Sequence, residues 1–184
     1  EKGASPRELR ELAASERHIL PVREFADMLK KTSPDLDALR LLDDRLPWLS
    51  AWTIHHANHV RESRDGLKVG GHQASCASMT TIMAALYFHA LGPNDRVAVK
   101  PHAGAVLHAI HYLLGSQSRE ALENFRALGG AQSYPSRTKD SIPVDFSTGS
   151  VGLGVAVTAS ASLIQDYLTA HGLMGEEDRG RFVA

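Results

Sequence analysis

Three short segments of this sequence combine reactive side chains with glycines. The first, residues 70–75, reads Gly-Gly-His-Gln-Ala-Ser and directly precedes a predicted helix. Paired glycines let the backbone come close to a ligand. Exposed amides at the start of a helix, together with the hydroxyl of Ser75, can hold a phosphate group. A loop that simply ends in a serine helix cap explains the same residues equally well.

The second segment, residues 100–104, reads Lys-Pro-His-Ala-Gly and follows a predicted strand. Ligands of open α/β sheets bind at the carboxyl ends of the strands. We therefore expect His102 to point into this crevice, with Lys100 beside it. A single histidine is more often structural than catalytic, so this segment by itself is a weak indication of a site.

The third segment, residues 147–154, reads Ser-Thr-Gly-Ser-Val-Gly-Leu-Gly and precedes a long apolar stretch. Its small residues would permit the close approach of a flat ring or of a second chain; tight helix packing is the alternative. The spacing of its glycines does not fit a dinucleotide-binding fingerprint, and no clear strand precedes them. The sequence also lacks the Gly-Lys-Ser/Thr of a P-loop.

The other histidines and the cysteine are interpreted as structural. Residues 55–59 include three histidines at helical spacing, which could form a metal-binding face, but no Cys, Asp or further His completes a convincing site. We assign them, and the pair His108 and His111, to surface or interface packing. Cys76 lies among small residues before an apolar helix, and we expect it to be an unreactive core residue.

The composition is that of an ordinary globular protein. Of 184 residues, 43% are hydrophobic and 22% are charged, and the formal net charge is -1. Nucleic acids and anionic membranes attract proteins with a clear basic excess, so we expect neither partner. No apolar run approaches the ~18 residues of a membrane span, and no signal-peptide pattern opens the chain. A single cysteine fits a reducing compartment, and we expect a cytoplasmic location.

Residues 1–50 are predicted to form a helical N-terminal extension. Residues 5–8, Ser-Pro-Arg-Glu, have the capping serine, first-turn proline and following glutamate of a helix start. A second helix is expected to begin at residues 33–35 and to break at Pro47. A third would then run over residues 48–62.

Residues 51–184 are predicted to form an α/β domain. Helices alternate with short strands, which predicts a parallel sheet flanked by helices. The expected elements are a buried helix over 75–91, a strand over 95–100, a helix over 102–114, a short helix from Ser118 to the glycines at 129–130, and an apolar helix over 151–171.

The two ends of the sequence suggest an incomplete domain. The first residue is Glu1, and Arg181 opens what looks like a strand that has only just begun. Natural termini usually lie at the surface rather than inside a buried strand. We therefore expect the protein to continue in both directions.

The segments occur, in order, in a known family. Residues 70–78 resemble the Gly-Gly-His-x-[Ala/Ser]-Ser-x-Ala-Ser stretch of the homodimeric first component of pyruvate dehydrogenase, a thiamine-diphosphate enzyme of the transketolase-like superfamily. Residues 122–126 resemble the Leu-x-Asn-Phe-Arg of that enzyme and of transketolase. Residues 133–135 match its Ser-Tyr-Pro, and residues 150–154 are similar to its Ser-Met-Gly-Leu-Gly. The Thr-Gly at 148–149 resembles transketolase. The resemblance covers residues 52–184.

The resemblance implies a thiamine-diphosphate-binding fold and roles for single residues. His72 and His102 match histidines that line the active site near the thiazolium and the diphosphate, and they are the predicted catalytic residues. Ser75 matches a residue near the diphosphate. Gly149 and Val151 match contacts to the aminopyrimidine ring.

Two further residues, Lys100 and Ser150, are also assigned to cofactor binding. The family usually has Gln-Gly-His or Asn-Gly-His where this chain has Lys-Pro-His at 100–102. Lys100 could pair with a phosphate or with a substrate carboxylate. This departure from the family pattern leaves its role open.

The implied cofactors are thiamine diphosphate and Mg²⁺. The family's metal ligands lie in a Gly-Asp-Gly motif with a following Asn, which we expect beyond the strand at Arg181; no metal ligand is predicted within this sequence. The activating glutamate belongs to another domain. The expected partners are therefore the remaining domains of the same protein, a second copy in a homodimer, and a small substrate.

The implied activity is cleavage of a carbon–carbon bond beside a carbonyl. The local sequence favours the decarboxylation of a 2-oxo acid, an oxidoreductase function like that of pyruvate dehydrogenase. Ketol transfer on a sugar phosphate, a transferase function, is the alternative. A non-catalytic, degenerate or structural subunit is a third possibility, which the altered residues Lys100 and Pro101 favour. We expect this chain by itself to be inactive.

Overall fold

The computed structural model describes residues 35–63 and 65–184, and the helix start predicted at residues 5–8 lies outside them. The described chain is mainly helical, with a small parallel sheet. In chain order its elements are α1 (Leu36–His55, extended by a π-helical turn His56–Val60), α2 (Gln73–Ala77), α3 (Thr80–Ala85, extended by a π-helical turn Leu86–Ala90), β1 (Arg96–Val97), a 3₁₀ turn (Pro101–Ala103), α4 (Gly104–Leu113), α5 (Arg119–Glu123), α6 (Leu153–Ala170), a 3₁₀ turn (Glu176–Asp178) and β2 (Phe182–Val183).

Helix α1 runs through the proline that we expected to break it. Asp35 caps its start by accepting hydrogen bonds from two backbone amides, at 3.1 and 3.0 Å. Pro47 lies inside the helix, so the predicted break is wrong. Leu46 and Leu49 flank the proline and are both buried, and this packing outweighs the lost helical hydrogen bond. The domain boundary proposed after residue 50 falls within α1.

The helix expected over residues 75–91 is divided into two. Helices α2 and α3 are separated at Ser78 and Met79. The hydroxyl of Ser78 donates to the carbonyl oxygen of Ser75 at 3.0 Å, and that of Thr80 donates to Ala77 at 3.2 Å. Hydroxyl groups that bond to nearby carbonyls compete with helical hydrogen bonds. The predicted helix is therefore correct in place but not in continuity.

The sheet consists of two parallel strands, as the alternation of helices and strands predicted. Arg96 pairs with Phe182 and Val97 with Val183. The observed β1 is shorter than the predicted strand over 95–100. On its other edge, the amide of Val97 donates to Oδ2 of Asp145 at 2.9 Å. Asp145 therefore satisfies a backbone group that a neighbouring strand would otherwise bind.

Strand β2 is attached to the molecule by an ion pair. Asp95 Oδ1 accepts from the amide of Arg181 at 2.7 Å, and Oδ2 accepts from its Nε at 3.0 Å. Burial of Asp95 opposes its ionisation, but the hydrogen bonds from Arg181 and Gly92 outweigh it and lower the pKa of the carboxyl to about 2. The parallel pair is thus held by side chains as well as by the ladder.

Helix α4 forms the centre of the core. The side chains of Val106, Leu107 and Ile110 are at most 1% exposed. The helix packs against α1, α2 and α3. Its position confirms the predicted helix over 102–114. No helix in the described part of the chain combines the length and apolar character needed to cross a membrane.

The remaining helices agree with prediction in part. Ser118 caps α5, with its hydroxyl accepting from the amide of Ala121 at 3.0 Å. The helix ends at Glu123 rather than at the glycines 129–130, because a further turn intervenes. Helix α6 lies within the predicted range of 151–171, but most of its large apolar side chains are exposed.

Candidate functional site

The structure brings two of the three predicted segments into direct contact. His72 directly precedes α2, and His102 lies in the 3₁₀ turn that follows β1. Their imidazole rings stack, with centroids 4.0 Å apart and planes inclined by 14°. The pair lies beyond the carboxyl end of β1, where ligands of parallel sheets collect.

The loop that carries His72 is fixed to helix α1. Asn58 accepts a hydrogen bond from the amide of Gly70 at 2.8 Å and donates one to its carbonyl oxygen at 2.9 Å. Gly71 has a φ of +147°, and a Cβ there would lie 2.5 Å from Cγ2 of Ile54. Only glycine fits this backbone and this contact. The glycines at 70–71 therefore serve to position His72.

The backbone of His102 contacts the buried residue Cys76. The thiol of Cys76 lies 3.5 Å from the carbonyl oxygen of His102 as a weak donor. Burial raises the pKa of this thiol, so it stays protonated at neutral pH. Cys76 is thus an unreactive core residue, as predicted.

The third segment reaches the histidines through Tyr134. Thr148 is buried; its hydroxyl donates to the carbonyl oxygen of Val99 at 2.8 Å, and its amide donates to that of Pro135 at 3.0 Å. These bonds place Gly149 beside Tyr134, where a Cβ would lie 3.7 Å from Cδ2. The ring of Tyr134 is in turn 6.0 Å from that of His102.

Tyr134 and Arg126 are two residues of the site that the sequence analysis did not single out. Arg126 has a left-handed φ of 62°, and its Nη1 donates to the carbonyl oxygen of Val69 at 2.6 Å. A Cβ on Gly70 would lie 3.1 Å from the same nitrogen. Both residues lie in stretches that resemble the family, at 122–126 and 133–135, and those stretches were the available signal.

The electrostatics of the site favour a neutral His72. Burial lowers the pKa of its imidazole, and the neighbouring His102 and Arg126 lower it further. A neutral ring retains one nitrogen that can accept a proton and one that donates. At neutral pH the His72 ring can therefore both accept and donate a hydrogen bond.

Two buried polar atoms near this site lack a protein partner. These are the hydroxyl oxygen of Ser75 and Nε of Arg126, neither of which forms a hydrogen bond within residues 35–63 and 65–184. Burying a polar atom without a partner is unfavourable. An anionic ligand would supply acceptors for both.

The other predicted cofactor contacts are less closely associated with the histidines. Lys100 and Ser150 are exposed, and Val151 is 85% exposed. Among the described residues, Ser150 and Val151 make no hydrogen bond or ring contact with either imidazole. In the same part of the chain, no group of three His, Cys, Asp or Glu side chains is placed to hold a metal ion.

The prediction of surface or interface packing for the second histidine pair is wrong. His108 and His111 are 0% and 3% exposed, on the inner face of α4. Gln117 uses Oε1 to accept from the amide of Ser118, so its Nε2 donates to Nδ1 of His108 at 3.1 Å. Nε2 of His108 therefore carries the proton and donates to Gln132 at 3.0 Å. The periodicity placed both histidines on one face but did not show that the face is internal.

The comparison with known proteins connects this geometry to a class of enzyme. No family model matches the chain. It is 26% identical to a pyruvate dehydrogenase E1 component from Mycolicibacterium smegmatis and 26% identical to one from Mycobacterium tuberculosis, in each case over 93% of this chain. It is 32% identical, over 60% of its length, to the corresponding protein of Cupriavidus necator.

These similarities establish a distant relation. The chain spans only 20% of the length of the two mycobacterial proteins and 13% of the third. The named relatives are enzymes, and this chain corresponds to a small part of each. The described part of the chain is mainly helical with a two-stranded parallel sheet, a mixed α/β arrangement.

Proposed function

We propose that this chain is the diphosphate-binding part of a thiamine-diphosphate enzyme that decarboxylates a 2-oxo acid. The observation that supports it most directly is the stacked pair of His72 and His102 at the end of β1. The relation to pyruvate dehydrogenase E1 components agrees with it.

The donors of the site fit the diphosphate end of the cofactor. The unpartnered hydroxyl of Ser75 would donate to a phosphate oxygen, and the exposed ammonium of Lys100 would balance part of its charge. Gly149 lies beside the ring of Tyr134 and, with Ser150 and Val151 of the same segment, would contact the aminopyrimidine ring of the cofactor.

The two imidazoles would donate and accept protons at the substrate oxygen. When bound, thiamine diphosphate supplies a carbon nucleophile and an electron sink. His102 would donate a hydrogen bond to the carbonyl oxygen as negative charge develops there. His72, whose pKa is lowered, would be neutral before the reaction, so that it could accept a proton from the substrate and then return it. The close stacking keeps both rings in one orientation.

The magnesium ligands, the activating glutamate and the second subunit would come from outside the described residues. We propose that the complete protein is a homodimer with Mg²⁺ beside the diphosphate. The 184-residue chain without these groups should bind thiamine diphosphate weakly, because uncompensated phosphate charge is costly to desolvate. Calorimetry with magnesium present tests this, and micromolar binding would contradict it.

The decisive experiment is His102→Ala in the full-length enzyme. Removing a donor to a developing oxyanion lowers the rate by about 10²–10³-fold. We expect this loss in kcat/KM for a 2-oxo acid while the melting temperature moves by only a few degrees. Unchanged kinetics would refute the catalytic role. A larger effect on a ketol donor than on the 2-oxo acid would favour transketolase-type chemistry instead.

A further inference from the structure

A second concave site lies on the other side of the loop that carries His72. Its pocket has a volume of about 240 Å³ and is lined by residues of α1 and of the segment that follows it: Ile54, His55, Asn58, His59, Lys68, Gly70, Gly71 and Gln73. The imidazoles of His72 and His102 are not part of it. The candidate catalytic site therefore does not account for this pocket.

The polar groups of this pocket are cationic or neutral. His55 and His59 stack on one another, with ring centroids 4.8 Å apart and planes inclined by 22°. Lys68 is exposed at the rim. None of the lining residues is Asp or Glu. Within residues 35–63 and 65–184, none of these three basic side chains forms a salt bridge.

Lys68 and His55 both lie close enough to His59 to act on its charge. The charge of Lys68 is the largest cause of the lowered pKa of His59, ahead of burial and of the charge of His55. No carboxylate contributes to this shift. A lowered pKa means that the free pocket disfavours further positive charge, and an anion would relieve that repulsion.

The wall of the pocket is rigid. Asn58 bonds both the amide and the carbonyl of Gly70, and it also donates to the carbonyl of Ile54 at 2.6 Å. These bonds hold the loop at Gly70 against α1, beside His55 and His59, and Lys68 lines the same opening.

From this arrangement we infer that the pocket binds a small phosphate-class oxyanion through His55, His59 and Lys68. The ligand is a phosphate monoester or inorganic phosphate, with the lysine supplying the fixed charge and the imidazoles the directed donors. This site is separate from the one proposed for thiamine diphosphate, and its occupancy does not depend on that assignment.

The test is a titration of the 184-residue chain, with the histidine ring signals followed by NMR. The probes are inorganic phosphate and sulfate, at constant ionic strength set with sodium chloride. We expect the signals of His55 and His59 to move together and to saturate at one dissociation constant. Lys68→Gln should weaken binding about tenfold, as expected for the loss of a charge-assisted contact. Lys139→Gln, another exposed lysine, should leave it unchanged.

Sulfate also allows the pH dependence of binding to be measured, because it stays a dianion between pH 6 and 8. The groups that act on His59 are Lys68 and His55. A bound anion raises the pKa of His59, so binding takes up a proton and should tighten as the pH falls from 7.5 to 6. An affinity independent of pH over this range would contradict the role of the imidazoles.

The results that would refute this anion site differ from those that would refute the proposed function. Signals of His55 and His59 that respond to sulfate no more than to chloride would refute the site. Equal losses in Lys68→Gln and Lys139→Gln would reduce it to general surface charge. Saturation at His72 and His102 instead would place the anion in the candidate catalytic site, which would leave that proposal intact and remove this one.

Discussion

Helices α4 and α6 are both apolar, but they lie in opposite environments. Ile110 on α4 is fully buried, and α4 packs against three other helices. On α6, Val155, Leu163 and Ile164 are 66%, 70% and 58% exposed. Apolar composition therefore does not determine burial in this chain; the position of the helix relative to the sheet and to its neighbours does.

Both helices enclose polar side chains, but those on α4 are the more deeply buried. His108 and His111 are enclosed on α4, and each has a polar partner within hydrogen-bonding distance. On α6 the buried polar side chains are Thr158, bonded within the helix, and Gln165, bonded to Gly180 before β2. This contrast predicts that α4 determines the stability of the fold. The exposed apolar side chains of α6 should instead form a contact surface for other chains.

The largest effect should come from Ile110→Ala. Truncating a fully buried isoleucine removes its transfer free energy and leaves a cavity, so the free energy of unfolding should fall by about 2–5 kcal/mol. Urea denaturation measures this directly. Ile164→Ala on α6 is the matched control and should change stability by less than about 1 kcal/mol. Similar losses at both positions would erase the distinction between the helices.

Low pH should destabilise the folded chain, because the folded state disfavours protonation of the buried His111 on α4. Burial, and to a lesser degree the charge of His108, lower the pKa of His111 to about 4. The unfolded chain binds this proton near pH 6.5 and the folded chain near pH 4, so stability is full above pH 6.5 and declines as the pH falls toward 4. The shift corresponds to about 3 kcal/mol.

The control for acid destabilisation is the histidine on the other helix. His111→Asn should remove most of this decline in denaturant experiments between pH 7 and pH 4.5. His171→Gln, at the exposed end of α6, should leave the decline unchanged. A pH profile that is the same in all three proteins would show that His108 or the carboxylates, rather than His111, govern acid unfolding.

A smaller effect is expected at the junction between α1 and the His72 loop. Gly71→Ala would force a Cβ to within 2.5 Å of Ile54 and would hold alanine at a positive φ. Strained backbone of this kind is typically unfavourable by about 1–3 kcal/mol. In an Ile54→Ala background the two closest contacts disappear and only the Cβ of residue 54, at 3.3 Å, remains, so a thermal-melt double-mutant cycle should show partial recovery. Strict additivity would mean that the contact is unimportant.

The sequence predicted local features well where one residue type dominates the physics. Ser118 was identified as the start of a short helix, and α4 and α6 were placed within a few residues. The two-strand parallel sheet followed from the alternation of helices and strands. Helix ends were predicted less well. We expected α1 to break at Pro47, but it continues, because tertiary packing of the leucines around Pro47 outweighs the helix-breaking preference of proline.

The candidate site could be predicted only in part. The adjacency of His72 and His102 requires the chain to bring positions thirty residues apart together, which periodicity does not reveal, so the family resemblance carried that expectation. The left-handed φ of Arg126 and the contact of Tyr134 with His102 depend on loop paths. Burial of His108 depends on the segments that bring Phe125 and Gln132 against α4, which local spacing does not reveal.

The smallest stability effect, and the sharpest test of the contrast, lies on α6. Ile164 is exposed and Gln165, its neighbour, is buried. Ile164→Ser should change the free energy of unfolding by no more than about 0.5 kcal/mol, since exposed positions contribute little. It should nevertheless reduce self-association, because exposed apolar patches drive contacts between chains. Light scattering over a range of protein concentrations measures that association.

Gln165→Ala should behave in the opposite way. Its side chain donates to the carbonyl of Gly180 at 3.1 Å and accepts from the amide of Gly180 at 2.9 Å. Losing both bonds leaves polar backbone groups unpaired before β2 and should lower stability by about 1–3 kcal/mol, while self-association stays unchanged. If Ile164→Ser instead destabilised the fold as much as Gln165→Ala does, α6 would be an integral part of the core. If neither variant altered association, its apolar side chains would not be a contact surface between copies of this chain.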